Sequence, residues 1–360
     1  MSLTILSVAY PLTEVGNDAV GGSEQILAAL DRALTAAGHH SVVIAAEGSE
    51  IQGTLVASPR AINRLDDSAR EWGRRVHRQL LYDTLDRFPV DLIHMHSLDF
   101  HRYLPTCGIP VLATLHLPPD WYPAEIFNND QSHFYMNCVS RTQQQACPRS
   151  RRPLELIPNG VDVDRLEVSV PKRDFALSLG RICPEKGFHL ALDAARHAEM
   201  ELLLAGEVFP YESHLSYFAA EIEPRLDAAR KFIGRLQFLQ KRRFLSEAKC
   251  LVIPSTVAET SSLVAMEALA CGTPVVAFGS GALPEVIEHG RTGFIVSTVR
   301  EMSEALGRVG ELSSDACRQA ARARFSSRIM EERYLDLYGK LIGSHSMAQP
   351  STLELRFANG

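Results

Sequence analysis

Two glutamates, Glu259 and Glu267, stand eight positions apart in AETSSLVAMEALACGTPVV, residues 258–276. The stretch follows an apolar run, KCLVIPS, stays largely apolar until Gly272, and has Pro274 just beyond. That order predicts strand, loop and helix, with Ser261 or Ser262 capping the helix start. In open α/β sheets ligands gather beyond the carboxyl ends of the strands, where this helix would begin. Its unpaired amides, near Ser262, Leu263 and Val264, favour a phosphate. A rise of about 1.5 Å per residue separates the two carboxylates by up to about 12 Å. Carboxylates repel phosphate but accept hydrogen bonds from hydroxyl groups, so an acid on each flank of a phosphate-binding helix start suits a nucleotide sugar. The plainer alternative makes Glu259 a first-turn acid favoured by the helix dipole and Glu267 a solvated residue. Against it, Glu267 is hemmed in by Val264, Ala265, Met266, Ala268 and Leu269, an apolar setting for an idle carboxylate.

A second constellation is LGRICPEKG at 179–187, where Arg181 and Lys186 bring two cations to a strand end. Both can neutralise a diphosphate and stabilise the charge that develops on it as it leaves. An ordinary basic loop is the bland alternative. In DAVGGSEQIL, 18–27, Gly21 and Gly22 permit a close backbone approach to a ligand, and Ser23 can cap the helix that follows. No G-x-G-x-x-G fingerprint lies there, and GSGALP at 279–284 lacks the third glycine, which disfavours a nicotinamide oxidoreductase. His116, in ATLHLPP, falls at a strand end from which it can donate to a sugar hydroxyl or phosphate. His94 and His96 spell H-x-H on one strand face, with His101 nearby, but no acid-rich partner accompanies them and no metal is expected. Asp162-Val163-Asp164 spells D-x-D, yet after Pro158-Asn159-Gly160 it reads as a turn and helix cap.

These residues need elements to hold them. Short Val/Ile/Leu runs recur, each followed by a longer helical pattern, which is the rhythm of parallel α/β units. Strands are expected at 3–10, 41–47, 91–97, 111–117, 135–140 and 154–158, then again at 175–180, 201–205, 231–234, 250–254, 275–278 and 294–296. A helix from Ser23 to Ala37 carries Ile26, Leu27, Leu30, Ala33 and Leu34 on one face and stops at Gly38. VSVPKRD at 168–174 separates the two series. The economical reading is an α/β chain of two doubly wound domains, 1–168 and 169–327, with further helix to 343 and an aperiodic tail, 344–360, expected to be disordered.

Composition agrees with a globular chain: 360 residues, 46% hydrophobic and 22% charged, with a formal net charge of −6 that excludes wholesale nucleic-acid binding. Seven cysteines, 107, 138, 147, 183, 250, 271 and 317, lack any C-x-x-C spacing. Reduced thiols in a cytoplasmic compartment are the expectation, with zinc excluded. No run approaches a spanning helix, and the start MSLTILSVAY lacks a basic leader. Arg141, Arg149, Arg151 and Arg152, with Arg74, Arg75 and Arg78, offer peripheral contact with a phosphate-bearing lipid or the cytoplasmic membrane face, a solvated charged face being the blander reading.

In combination, Glu259-x7-Glu267 with MEALACGTPVVA, GALPEVIEHGRTGF at 281–294, GRICPEKG, IPNGVD and the glycine pair resemble the retaining GT-B glycosyltransferases of family 4 from Ser2 to about Gly343. The resemblance implies two facing Rossmann-like domains with a last helix, about 328–343, crossing back onto the first. It implies a C-terminal domain that binds a nucleotide diphosphate sugar, UDP- or GDP-linked, and an N-terminal domain that takes a glycan, lipid-linked or small-molecule acceptor, with no cofactor and no metal. Glu267 would hold the ribose hydroxyls, Arg181 and Lys186 the diphosphate, and Glu259 and His116 the transferred sugar. Gly22, Ser262, Leu263 and Val264 would meet the phosphates, and Glu259, His116, Arg181 and Lys186 would form the catalytic set. Many members carry Phe-Gly-Leu-Val where this chain has Ser261-Ser262-Leu263-Val264, so the sugar pocket is not copied from them. A sugar-nucleotide or glycan-binding protein of the same fold without transfer activity is the alternative.

Overall fold

A computed structural model describes residues 2–19, 21–59 and 67–348. Its first sheet is built from β1 (Thr4–Val8), β2 (His40–Ala46), β3 (Thr54–Ser58), β4 (Leu92–Met95), β5 (Val111–Leu115), β6 (Phe134–Cys138) and β7 (Glu155–Leu156), in the order β3-β2-β1-β4-β5-β6-β7. The second uses β8 (Phe175–Leu179), β9 (Glu201–Ala205), β10 (Arg230–Gly234), β11 (Cys250–Ile253), β12 (Val275–Phe278) and β13 (Gly293–Val296), in the order β10-β9-β8-β11-β12-β13. The pairings are parallel, and both orders reverse beside the first strand of their sheet, which opens a crevice at its carboxyl edge.

Parallel strands bury both faces, so they read as continuous apolar runs. β1, β4, β5 and β11 are buried along their whole length. Helices cover both faces of each sheet, and the core is accordingly divided into layers, with Leu6, Ile93 and Val111 on one side of the first sheet and Ile5, Leu92 and Leu112 on the other. Every expected strand is present, and β3 is an addition. Its partly exposed TLVAS lies at the sheet edge, too polar around Gly53 and Thr54 to read as a buried run.

The final helix, Ser327–Ala348, is longer than the expected 328–343 and takes in the first residues of the stretch read as a tail; 349–360 lie outside the described residues. It packs on the first sheet: Met330, Tyr334, Leu337, Tyr338 and Leu341 share a core layer with Ile5, Leu92, Leu112 and Ile157. Beneath that layer runs a buried polar chain. The Tyr338 hydroxyl lies 2.8 Å from His94 Nδ1, and Thr114 Oγ1 lies 2.7 Å from His94 Nε2 and donates to Asn137 Oδ1 at 2.7 Å. Asn137 Nδ2 donates to the Tyr334 hydroxyl at 2.9 Å. The chain crosses between domains twice, and the crossings are tied side by side: Val161 N donates to Phe325 O and Ser327 N to Val161 O, both at 2.8 Å.

Candidate active site

The helix after β11 begins at Leu263 and ends at Ala270, with Gly272 beyond it at φ +71°. Its cap departs from expectation. Ser262 occupies the N-cap position in a left-handed conformation, φ +64° and ψ +74°, and its hydroxyl makes no capping bond. That backbone geometry costs an L-residue about 1 kcal/mol relative to glycine. The Ser261 hydroxyl, the other cap candidate, is buried without a hydrogen-bond partner. Amides of Ala265 and Met266 reach back to Ser262 O, whereas those of Leu263 and Val264 have no partner among the described residues. Both point out of the helix start.

Glu259 lies in the loop before this helix, and Lys186 Nζ donates to its Oε1 at 2.6 Å. The Ser255 hydroxyl donates to the same oxygen. Burial would raise this carboxyl, but Lys186, Ser255 and the charge of Arg181 hold it below the usual carboxylate range. It is therefore an anion at neutral pH, with hydrogen-bond capacity left on Oε2. The backbone of Glu259 is braced from the next motif, where Ala282 N donates to Glu259 O at 2.7 Å and Ser280 Oγ to Val257 O at 2.6 Å. Lys186 is positioned by a tight junction: Gly187, at φ +63°, lies so close to Pro254 O that a Cβ there would collide with the backbone, and Thr256 N donates to Glu185 O at 3.0 Å. Arg181, on the same loop and partly buried, has no hydrogen-bonded acid among the described residues. Its charge nevertheless acts on the carboxylates of Glu259 and Glu185, lowering both.

Glu267 is buried, as its apolar neighbours require, but it is not idle. Lys241 Nζ donates to its Oε1 at 2.6 Å, the two side chains being 10% and 8% exposed. Its surroundings form an open cleft between the domains, lined also by Asn17, Gln25, Arg32, Arg165 and Phe238. Lys241 was not anticipated. The signal was present in the sequence, since it lies three positions after Phe238 and four before Leu245, on the apolar face of the Phe238–Glu247 helix. Ser255 was missed as well, because a serine in a strand-end loop carries no distinguishing pattern.

The N-terminal domain supplies the opposite wall. Its first helix spans Gly22–Ala36 and takes Gly21 as N-cap; Ser23 does not cap it but donates to Glu24 Oε2 at 2.8 Å. Gly22 faces the second domain directly, since a Cβ there would stand 3.3 Å from Leu263 Cδ1. Val20, within the same turn, lies outside the described residues. His116 follows β5, and its carbonyl accepts from Thr260 Oγ1 at 2.8 Å, which fixes it next to the Glu259 loop. Its Nε2 lies 3.0 Å from His96 Nδ1, and Nδ1 has no hydrogen-bond partner among the described residues. Burial pushes His116 down to about 3; burial and the charge of His116 hold His94 well below its ordinary value, and burial with the charges of His94 and His116 does the same to His96. All three are neutral at pH 7. The expected one-face placement of H-x-H is what the hydrogen bonds show, with His94 committed to Tyr338 and Thr114 and His96 to His116. Asp162 caps the short Val163–Leu166 helix through Arg165 N, as read from its turn context.

Two family models account for residues 20–329: Glycosyltransferase Family 4 matches 20–165 and Glycosyl transferases group 1 matches 164–329. The chain belongs to the family 4 glycosyltransferases. Its GT-B fold matches that of AviGT4, a glycosyltransferase involved in avilamycin A biosynthesis, with a TM-score of 0.71 at 25% identity over 95% of this chain and 98% of that one. Anabaena HepE in complex with UDP-glucose shares the fold with a TM-score of 0.73 at 17% identity, covering 94% of this chain and 100% of that one. Among sequence relatives, a GDP-mannose-dependent monoacylated alpha-(1-6)-phosphatidylinositol monomannoside mannosyltransferase of Corynebacterium glutamicum is 30% identical over 224 residues. That match takes in 52% of this family 4 chain and 56% of the relative, so it spans about half the length of each. Among the described residues no helix is long and apolar enough to cross a membrane.

Proposed function

We propose that the protein transfers a glycosyl group from a UDP- or GDP-linked sugar to an acceptor hydroxyl, with retention of anomeric configuration and without a metal. The observation that carries this reading is the cluster of groups able to meet an anion: Arg181 with no ion pair among the described residues, Lys186 held on Glu259, and the amides of Leu263 and Val264, unpartnered among the described residues. In the proposed reaction the diphosphate lies against these groups, and the negative charge gained as the glycosidic bond breaks is met by cations already in place. Glu259, ionised and held by Lys186, accepts hydrogen bonds from the transferred sugar, and His116 Nδ1 meets the same sugar from the other wall. Glu267 takes the ribose hydroxyls on its free oxygen while Lys241 holds the other. Gly22 and the backbone at Ser262 leave room for the phosphates. The departing diphosphate takes the acceptor proton on the face it leaves, so neither glutamate becomes a covalent nucleophile. The acceptor, a glycan, lipid-linked or small molecule, binds the N-terminal wall.

A donor names itself in a thermal-shift screen of UDP-, GDP- and ADP-sugars: at about 100-fold over Kd the matching series should stabilise the protein by about 2.7 kcal/mol. Arg181→Ala is the cleanest catalytic test, because it breaks no ion pair among the described residues and leaves Lys186 on Glu259. It should lower kcat by about 10²-fold or more with the melting temperature unchanged. Wild-type turnover by Arg181→Ala and Lys186→Ala, or no shift with any nucleotide sugar, would overturn the assignment.

A further inference from the structure

Cys138 ends β6, and Cys147 closes the Arg141–Ala146 helix that follows it. Their sulfurs are 3.6 Å apart and unbonded. Cys138 is fully buried, whereas Cys147 is only half-buried and open to a small oxidant. Their mutual hydrogen bond raises Cys138, as burial does too, and lowers Cys147 against the effect of burial, so the reachable sulfur is the one that ionises.

The helix between these thiols braces the site. Gln143, buried at 3% exposure, donates its Nε2 protons to Leu115 O at 2.6 Å and Leu117 O at 2.9 Å, the carbonyls on either side of His116. Its Oε1 accepts from Val139 N at 2.8 Å, which ties the brace back to β6. At the helix start, the amides of Arg141 and Thr142 donate to the Glu285 carboxylate of the other domain, at 3.1 and 2.5 Å. One short helix thus links the two thiols, the His116 backbone and the opposite wall of the cleft.

We propose that Cys138 and Cys147 form a reversible disulfide, with a peroxide or a small-molecule disulfide as oxidant, and that this bond shifts the brace holding His116. With peroxide, the Cys147 thiolate attacks one oxygen and the O–O bond breaks, giving a sulfenic acid and, after protonation, water. Cys138 then attacks that sulfur; the S–S bond forms, the S–O bond breaks, and the hydroxide leaves with the Cys138 proton as a second water. Two thiols are oxidised and one peroxide is reduced. The sulfurs move from 3.6 Å to about 2.05 Å, a closure of about 1.5 Å at one end of a six-residue helix. A displacement of that order near reacting groups costs about 10²-fold in rate at most, and a fall of about tenfold is expected for a shift partly absorbed by the helix.

The test equilibrates the full chain in a range of glutathione buffers of stepwise increasing oxidised fraction, blocks free thiols and maps peptides by mass. A Cys138–Cys147 cross-link that appears within this range, reverses with dithiothreitol and vanishes in Cys147→Ser is expected. No such cross-link at any potential, or Cys147 joined to Cys107 instead, would overturn the proposal. Amide hydrogen exchange at His116 and Leu117 reads the brace without reference to activity, and unchanged exchange in the cross-linked protein would refute the coupling. The rate arm rests on the proposed transferase function: the oxidised wild type should be about tenfold slower than the reduced, with Cys147→Ser active and indifferent to oxidant. A reduced protein with no transfer would count against that function, while the mass and exchange results would still decide the disulfide and the brace.

Discussion

Lys241→Met tests what the buried pair with Glu267 contributes. Lys241 and Glu267 are 10% and 8% exposed and 2.6 Å apart, so removing the ammonium leaves a carboxylate nearly out of water without a counter-charge. Losing one member of a buried ion pair costs about 3–5 kcal/mol, most of it the penalty on the stranded partner. In a domain of this size about 1 kcal/mol moves the melting temperature by about 2–4 °C, so a fall of about 6–20 °C is expected. The assay is thermal denaturation of Lys241→Met, Glu267→Leu and the double variant. The double variant should recover most of the lost stability, since two apolar side chains fit a layer already bounded by Leu245 and Leu269. Under the proposed function, in which Glu267 takes the ribose hydroxyls, it should nevertheless lose the stabilisation expected of the wild type with a nucleotide diphosphate sugar. A Lys241→Met protein that melts within about 2 °C of wild type would refute the buried-pair argument. A double variant still stabilised by donor would refute the ribose assignment.

Two further outcomes follow from the same geometry. Ser262→Gly should stabilise the protein by about 1 kcal/mol in urea denaturation, whereas Ser262→Ala should not, because alanine keeps the left-handed penalty; equal stability of all three would show that no strain resides there. Burial lowers His77 to about 4 and His116 to about 3, both below an unfolded histidine, so the unfolded chain takes up protons first as pH falls. Stability is complete above the unfolded value of about 6.5 and is lost on the way down, by about 2 kcal/mol per histidine between pH 7 and pH 5. A melting temperature as high at pH 5 as at pH 7 would contradict this.

The strands were legible because parallel sheets bury both faces and therefore write themselves as short apolar runs; β3 escaped because an edge strand carries no such signature. Glu259, Glu267, Arg181 and Lys186 were legible by type and spacing, and the structure brings Glu259 and Lys186 into contact and Arg181 close by. Their supports were not. Lys241 looked like one more surface cation until the Phe238–Glu247 helix turned it inward, and the His96–His116 contact joins residues twenty positions apart through a sheet register that no local pattern encodes. The caps failed for a specific reason: Ser262 and Ser23 have the right chemistry, but capping needs an extended backbone at Ser262, and at the first helix Gly21 already holds that place.

The last helix also sets the order in which the molecule can be made. Ile5, Leu92, Leu112 and Ile157 belong to the first domain, yet the layer they form is completed by Met330, Tyr334, Leu337, Tyr338 and Leu341. On a ribosome, where chains emerge at about 5–20 residues per second, the second domain has all of its strands in hand before those residues appear. Of the two halves, the one translated first is therefore completed second, and it holds an apolar face and a histidine that lacks its Tyr338 partner until the Ser327–Ala348 helix has emerged.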